Sequence, residues 1–384
     1  MSDKGPGLVY PGKAPEGEVL GVEPAPLRPV RTFRSGEGGA WTNMLVRGDN
    51  LGVLKALVEM KVSGGLASSD GTPGVRLVYI DPPFATNLSY RARGGRGDRR
   101  AFEDRLTGAE FIEFLRKRLI LIREVLCPGG SVFVHLDWKM AHYVRVIMDE
   151  VFGAGNFRNE IVWHYGGRGA KAVSSQFSRN HDTILWYGRP GGGANVFNRV
   201  YTERRFAKGE GGFRRDELGR WFKTAPRGDY TDESVEALER EGRVHRTRSG
   251  KVRIKYFLRE EGERLVEDRL VGDVWDDIPD AMHLPRAEKT GYPTQKPERL
   301  LGRIIEAASM PGDLVLDAFC GAGTTLAAAE KLGRRWIGVD SGRLALHTTE
   351  KRLLCLERSV DPASPRKRYK KPARTFVVYS AKAR

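Results

Sequence analysis

The chain has 384 residues, enough for one large hydrophobic core with a smaller inserted or appended unit, and 65 lysines and arginines stand against 49 acids for a formal net charge of +16. That excess favours a polyanionic partner, nucleic acid foremost, through counterion release. Cys127, Cys320 and Cys355 lie far apart with no CxxC pair, no apolar run reaches the length of a membrane span, and the amino terminus lacks the apolar stretch of a secretory signal; a disulfide framework, a cysteine zinc site and a membrane protein are disfavoured, and a cytosolic protein is expected.

Residues 1–40 are rich in proline and glycine with little periodicity, which predicts a mobile arm outside the core. From residue 42 short apolar runs alternate with amphipathic ones: NMLVRGDN then LGVLKALVEM, VRLVYIDPP then GAEFIEFLRKRLILIREVLCPGG, SVFVHLD then WKMAHYVRVIMDEVFG. In the second helix Phe111, Leu115, Leu119, Ile122 and Leu126 recur at three- and four-residue steps, and Gly129 and Gly130 are the expected stop. EIVWHY and DTILWYG add two strands. Residues 191–290 break the rhythm with a mixture of basic, glycine and aromatic residues, as in RRFAKGEGGFRRDELGRWF, and predict an inserted module. The alternation then resumes with helix PERLLGRIIEAAS, strand DLVLDAF, helix TTLAAAEKLG, strand RWIGVD and helix GRLALHTTEKRLLCLER, and the basic tail SPRKRYKKPARTFVVYSA ends in an expected edge strand. This order predicts an α/β fold: a Rossmann-like, doubly wound, mostly parallel sheet. The expected domains are a mobile arm (1–40), a first α/β part (41–190), the inserted module (191–290), and a second α/β part with the basic tail (291–384).

Two strand ends carry chemistry. In DLVLDAFCGAGTTLAAAEKLGRRWIGVD, Asp317 closes a strand, Gly321 and Gly323 occupy the following turn, and Asp340 closes the next strand. Glycines let a backbone approach a ligand, and an acid at the second strand end accepts hydrogen bonds from ribose hydroxyls, so this is read as a nucleoside-cofactor site. Thr324 and Thr325 follow Gly323, so the full GxGxxG of a dinucleotide enzyme is absent. The other strand ends in Asp81-Pro82-Pro83-Phe84. Ligands of open parallel sheets sit beyond the carboxyl ends of strands, so both motifs are expected to face one crevice. Consecutive prolines remove two backbone donors, leaving Asp81 and the Pro82 carbonyl as an acceptor pair for an amino group, with Phe84 as a stacking face.

DPPF followed by FCGAGTT resembles the S-adenosylmethionine-dependent DNA amino-methyltransferases, in the permuted order of the beta group, where the catalytic motif comes first, a recognition segment second and the cofactor motif last. GYPTQKPERLLGRII, HLDWKMAHYVRVIMDEVFGAGNFRNEIVW, RNHDTILWYG and GDVWDDIP are similar to segments of type III modification subunits and their standalone relatives, and the resemblance spans residues 42–350. It implies that Asp81, Pro82, Pro83 and Phe84 are catalytic on a flipped base. It also implies that Asp317, Phe319, Gly321 and Gly323 line the methionine part of S-adenosylmethionine, that Thr324 is among the cofactor-binding residues, that Asp340 holds the ribose, and that Thr294, Lys296 and Pro297 cover the other side. Asp49, in RGDN before a helix, is either near the cofactor or simply a helix N-cap. Residues 191–290 become the target-recognition module, and the beta group implies a homodimer.

Arg91, Arg93, Arg96, Arg99 and Arg100, on the glycine-rich loop after the catalytic turn, are expected to hold DNA phosphates, and Arg204, Arg205, Arg214 and Arg215 of the module are candidates for phosphates or guanine edges. His135 and Asp137, alternating along one strand, are read as structural, as is Cys127, and Cys320 as packing in the cofactor loop. No Pro-Cys occurs, which argues against carbon-5 methylation of cytosine. The expected reaction is methylation of adenine N6 in double-stranded DNA; cytosine N4 is the runner-up, since both amines suit the same acceptors. A DNA-binding specificity subunit of a restriction-modification complex and a nicotinamide oxidoreductase are the readings from other classes. No ATPase P-loop occurs, so ATP-driven restriction would need a separate subunit. A bacterial or archaeal cytoplasm, at the nucleoid, is the expected location.

Overall fold

Val75–Ile80 is buried at every position, the pattern of a strand covered on both faces rather than one facing water. In the computed structural model, which describes residues 7–35, 41–84, 89–91, 100–103, 106–166, 177–362 and 364–382, this strand lies near the middle of a ten-stranded sheet. The chain divides into two compact units, Arg199–Gly272 and the remainder.

The strands of the larger unit's sheet are β1 (Arg28–Phe33), β2 (Asn43–Arg47), β3 (Val75–Ile80), β4 (Leu126–Leu136), β5 (Phe157–His164), β6 (His181–Gly188), β7 (Val274–Trp275), β8 (Leu314–Asp317), β9 (Arg335–Asp340) and β10 (Phe376–Ser380), and their spatial order is β1-β10-β2-β9-β8-β3-β4-β6-β5-β7. From β10 through to β4 every pairing is parallel; β1, β6 and β5 make antiparallel pairs, so the sheet is mixed but mostly parallel. The helices are α1 (Glu16–Leu20), α2 (Asn50–Val62), α3 (Gly108–Val125), α4 (Ala141–Phe152), α5 (Glu298–Ala308), α6 (Thr324–Lys331) and α7 (Arg343–Leu354). Met44, Val46, Val78, Ile80, Val132, Val134, Leu316 and Val339 share one core with Val53 and Leu57 of α2, Leu115 and Leu119 of α3, and Val144 and Met148 of α4. The intervening Leu45, Leu77, Val315 and Trp336 point to the opposite face and are buried as well. The α/β architecture with a mostly parallel sheet is therefore as expected.

Three local expectations need correction. The N-terminal segment is not a free arm over its described residues 7–35: Val19 is buried, the Tyr10 hydroxyl donates to Glu113 at 2.6 Å, Lys13 pairs with Glu150 at 2.7 Å, and β1 joins the sheet beside β10. Its order comes from partners on α3, α4 and the C-terminal strand, which local periodicity does not report. The C-terminal strand is consequently not an edge, because β1 covers it. Helix α3 ends at Val125, before the glycines, where Lys61 Nζ donates to the carbonyls of Glu124 and Leu126 at 2.6 and 2.7 Å and so satisfies its last turn. Gly129, at φ 71°, and Gly130 instead lie inside β4 at a register shift against β3; a Cβ on Gly130 would stand 2.8 Å from the Cys127 carbonyl.

The smaller unit, Arg199–Gly272, falls within the segment expected to form the recognition module. It holds two antiparallel sheets, one ordered Arg214–Arg215, Trp221–Pro226, Val252–Phe257, Val244–Arg246 and the other Arg259–Glu261, Arg264–Leu270, Tyr201–Ala207, with a helix at Asp232–Arg240.

Candidate active site

Because β9, β8 and β3 are adjacent and parallel, their carboxyl ends open on one edge of the sheet, with Asp317 of β8 in register with Tyr79 of β3 and Gly338 of β9. There they frame a cleft of about 290 Å3 lined by Asp81, Pro82, Pro83, Phe84, Asp317, Phe319, Gly321, Thr324, Asp340, Thr294, Lys296 and Asp49. The two motifs, more than 230 residues apart in sequence, thus meet in one site. Gly323 and Pro297 are not part of the lining. Gly323 takes φ 71° to start α6, and a Cβ there would lie 2.7 Å from Thr349, whose hydroxyl donates to the Gly321 carbonyl at 3.0 Å; Pro297 is the N-cap of α5.

The cleft is rich in carboxylates. Asp317 is 2% exposed and accepts from the Phe319 amide at 3.0 Å and from the Thr325 hydroxyl at 2.5 Å; burial, reinforced by the charges of Asp81 and Asp340, lifts its carboxyl to about 7. Asp340 accepts from the amides of Gly321 at 2.9 Å and Gly342 at 2.7 Å, and burial raises its carboxyl too. Asp81 Oδ2 accepts from Lys296 Nζ at 2.5 Å, whereas Oδ1 is buried and, among the described residues, has no hydrogen-bond partner. Asp49 is the N-cap of α2, its side chain accepting from the Leu51 amide, and it also lines the cleft.

Beneath the turn at residues 81–84 lies a buried polar chain. Phe84 stacks on His135 with ring centres 6.2 Å apart; His135 Nδ1 meets the Tyr79 hydroxyl at 2.9 Å and its Nε2 meets Asp182 at 3.0 Å. Burial works to raise the Asp182 carboxyl, yet the hydrogen bond and charge of His135 bring it below the usual range. His135 itself is fully buried and so supports Phe84 from behind, while Asp137 accepts from the amides of Lys139 and Met140 ahead of α4. Burial, with the negative charges of Asp340 and Asp317 adding to it, pushes the Cys320 thiol well above its ordinary value, which makes it inert packing.

Sequence reasoning missed several lining residues. Tyr292 is buried against Gly321, with 3.4 Å between its ring and where a glycine Cβ would be; burial, then Asp340, pushes its phenol up. Asn50 donates to the Ala318 carbonyl at 2.7 Å, and Arg118, drawn down to about 10 by burial against the pull of Asp49, stacks on Phe114 at 3.5 Å. Phe114 and Arg118 are one helical turn apart on α3, beside the apolar stripe rather than in it; that aromatic-arginine spacing was the available signal.

Of the loop arginines, Arg91 and Arg100 are register partners in a two-stranded antiparallel pairing of Ser89–Arg91 with Arg100–Glu103, while Arg93, Arg96 and Arg99 lie outside the described residues. In the smaller unit Arg204, Arg205, Arg214 and Arg215 are all exposed; Arg205 pairs with Glu203 at 2.7 Å, and Arg215 lies over the Trp221 ring at 4.6 Å.

A proline turn with an acid at its head, set against a carboxylate-lined cleft at the carboxyl ends of parallel strands, lies where open α/β sheets bind their ligands. The chain belongs to the DNA methylase family, whose sequence model matches residues 75–351. It is 31% identical to the type II methyltransferase M.EcaI of Enterobacter cloacae across 90% of this chain and 77% of that protein, and 26% identical to the type II methyltransferase M2.DpnII of Streptococcus pneumoniae across 72% and 81%. A probable type III HindVI Mod subunit of Haemophilus influenzae is 23% identical, and there the matched region is 49% of the relative. Among solved structures, M1.HpyAVI in complex with SAM is similar at 16% identity and TM-score 0.44 over 81% of this chain and 98% of that one. Among the described residues no helix is long and apolar enough to cross a membrane.

Proposed function

We propose that this DNA methyltransferase acts on the exocyclic N6 of an adenine flipped out of duplex DNA, at a site chosen by the Arg199–Gly272 unit. The observation that carries the reading is the buried Asp81 Oδ1, without a partner among the described residues, at the head of a cleft that also presents Asp317 and Asp340. S-adenosylmethionine is the cofactor. The residues fit it: it carries a sulfonium and an ammonium, and the acidic side chains of Asp317 and Asp340 line the cleft beside the Asp81 turn, while Tyr292 packs on the glycine turn and Asp340 ends β9 where a ribose is expected. Bound there, it supplies an electrophilic methyl group.

The chain's own contribution is placement. An exocyclic base amine is weakly nucleophilic because its lone pair is shared with the ring. Asp81 and the Pro82 carbonyl accept hydrogen bonds from it and draw the nitrogen toward a tetrahedral form, and Phe84, backed by His135, stacks on the ring. Positioning of this kind supplies much of the barrier reduction. The loop arginines hold the flanking phosphates. Asp81, rather than a serine, favours adenine by family resemblance. The restriction-modification names of the relatives support a modification role beside a restriction subunit, and the beta-group resemblance supports a homodimer working at the nucleoid.

The test is to incubate unmethylated DNA of diverse sequence with the purified protein and S-adenosylmethionine, and to identify the nucleosides by mass spectrometry. N6-methyladenine, absent with Asp81→Ala, is the expected result. N4-methylcytosine would move the target base to cytosine, and undiminished methylation by Asp81→Ala would overturn the acceptor role.

A further inference from the structure

Lys296 joins the two motifs. Its backbone carbonyl accepts from the Thr324 hydroxyl at 3.2 Å, on the cofactor loop, while its ammonium reaches across to Asp81 Oδ2 at 2.5 Å and stands 5.2 Å from the centre of the Phe84 ring. Both side chains are withdrawn from water, at 12% exposure for Lys296 and 16% for Asp81. The segment leading into Lys296 is itself braced, since Gln295 accepts from the Thr290 amide at 2.8 Å and donates to the Glu288 carbonyl at 2.8 Å. Thr324 is in turn held by Arg352 at 3.0 Å, and Arg352 by Glu298 at 2.7 Å. The ammonium is therefore delivered to Asp81 from a rigid frame tied to the cofactor loop.

A carboxylate with one oxygen taken by a fixed cation and the other without a partner among the described residues is an oriented acceptor. Resting on the proposed amine-acceptor reading, we infer that Lys296 is a positioning residue for catalysis: it anchors Oδ2 of Asp81, fixes the carboxylate plane, and leaves Oδ1 as the oxygen that receives the N–H of the target amine. The lysine, counted from the resemblance among residues covering the cofactor, thereby acts on the reaction through Asp81. The pairing also answers an electrostatic difficulty. Asp81, Asp317 and Asp340 line one cleft, and a buried carboxylate left unpaired is costly, so the Lys296 ammonium on Asp81 holds the acceptor in place before any base enters. It further means that the site is assembled before DNA arrives, which is where preorganisation is most effective.

The experiment uses the full-length protein with Lys296→Met, Lys296→Arg, Asp81→Asn and the Lys296→Met/Asp81→Asn double variant. It measures kcat for DNA methylation at saturating cofactor and the Kd of S-adenosylmethionine by calorimetry. Loosening the acceptor by a fraction of its placement should lower kcat in Lys296→Met by roughly 10- to 100-fold, with Kd changed by less than about threefold, and Lys296→Arg should recover most of the rate. In the Asp81→Asn background the same Lys296→Met change should cost less than about threefold, since the two residues act as one unit. A Kd raised tenfold or more with kcat intact would assign Lys296 to the cofactor alone and overturn the inference, as would equal losses of kcat in both backgrounds. Activity surviving in Asp81→Ala would instead fail the amine-acceptor reading itself, so the two failures are separable.

Discussion

Asp317 offers a pH experiment whose sign and size follow from its surroundings. It is 2% exposed, its carboxyl stands near 7 through burial and then the charges of Asp81 and Asp340, and its ordinary value is 3.8. Between those values the folded protein holds a proton that the unfolded chain has released, so the folded state binds more protons and stability falls as pH rises, levelling off above about 7. At about 1.4 kcal/mol per pH unit the full effect is about 4 kcal/mol, of which about 2.5 kcal/mol is spread between pH 5 and 8. Asp317→Asn keeps an acceptor for the Phe319 amide and removes the titration. Urea unfolding of the cofactor-free protein across that range should therefore show the parent losing about 2.5 kcal/mol more than Asp317→Asn. A positively charged ligand favours the ionised carboxyl, so S-adenosylmethionine should release protons on binding near pH 6 and bind more tightly as pH rises toward 7; calorimetry in buffers of different ionisation heat reads this directly. Parallel stability profiles for parent and variant, within about 0.5 kcal/mol, together with no proton release, would refute the claim that burial holds Asp317 protonated.

Three further outcomes are expected. Glu330 accepts from Asn43, from the Trp336 indole at 2.8 Å and from the Arg374 guanidinium at 2.8 Å, joining β2, β9 and the lead into β10; Glu330→Ala leaves the buried Asn43 and Trp336 donors stranded and should cost about 2–4 kcal/mol in denaturant unfolding. Gly323→Ala places a Cβ 2.7 Å from Thr349 at φ 71°, so it should destabilise by about 2 kcal/mol or more and weaken cofactor binding in the same calorimetric titration. Replacing Arg93, Arg96 and Arg99 with serine should weaken DNA binding across all sequences and reduce the salt dependence of log K by about 2–3, read by fluorescence anisotropy between 50 and 200 mM salt; an unchanged slope would place the phosphate contacts elsewhere.

The alternation of apolar runs and amphipathic stretches was enough for the sequence to determine the elements and their α/β class, because burial on both faces of a parallel strand is a local property that each run carries by itself, as in VRLVYI. The two turns that meet in the cleft were legible for a related reason: prolines, glycines and strand-ending acids are chemically conspicuous where they stand. What the sequence could not determine were pairings between distant segments. Nothing local in residues 7–35 announces that Tyr10 and Lys13 find Glu113 and Glu150, or that β1 covers β10; nothing in GYPTQKP announces that Tyr292 packs on Gly321 or that Lys296 reaches Asp81. Gly129 and Gly130 show the same limit in reverse, since glycines that suit a helix end serve equally well for a strand irregularity, and the neighbour across the sheet decides which. Side-chain contacts across hundreds of residues are settled by how the sheet orders its strands, and that order exists only in the folded chain.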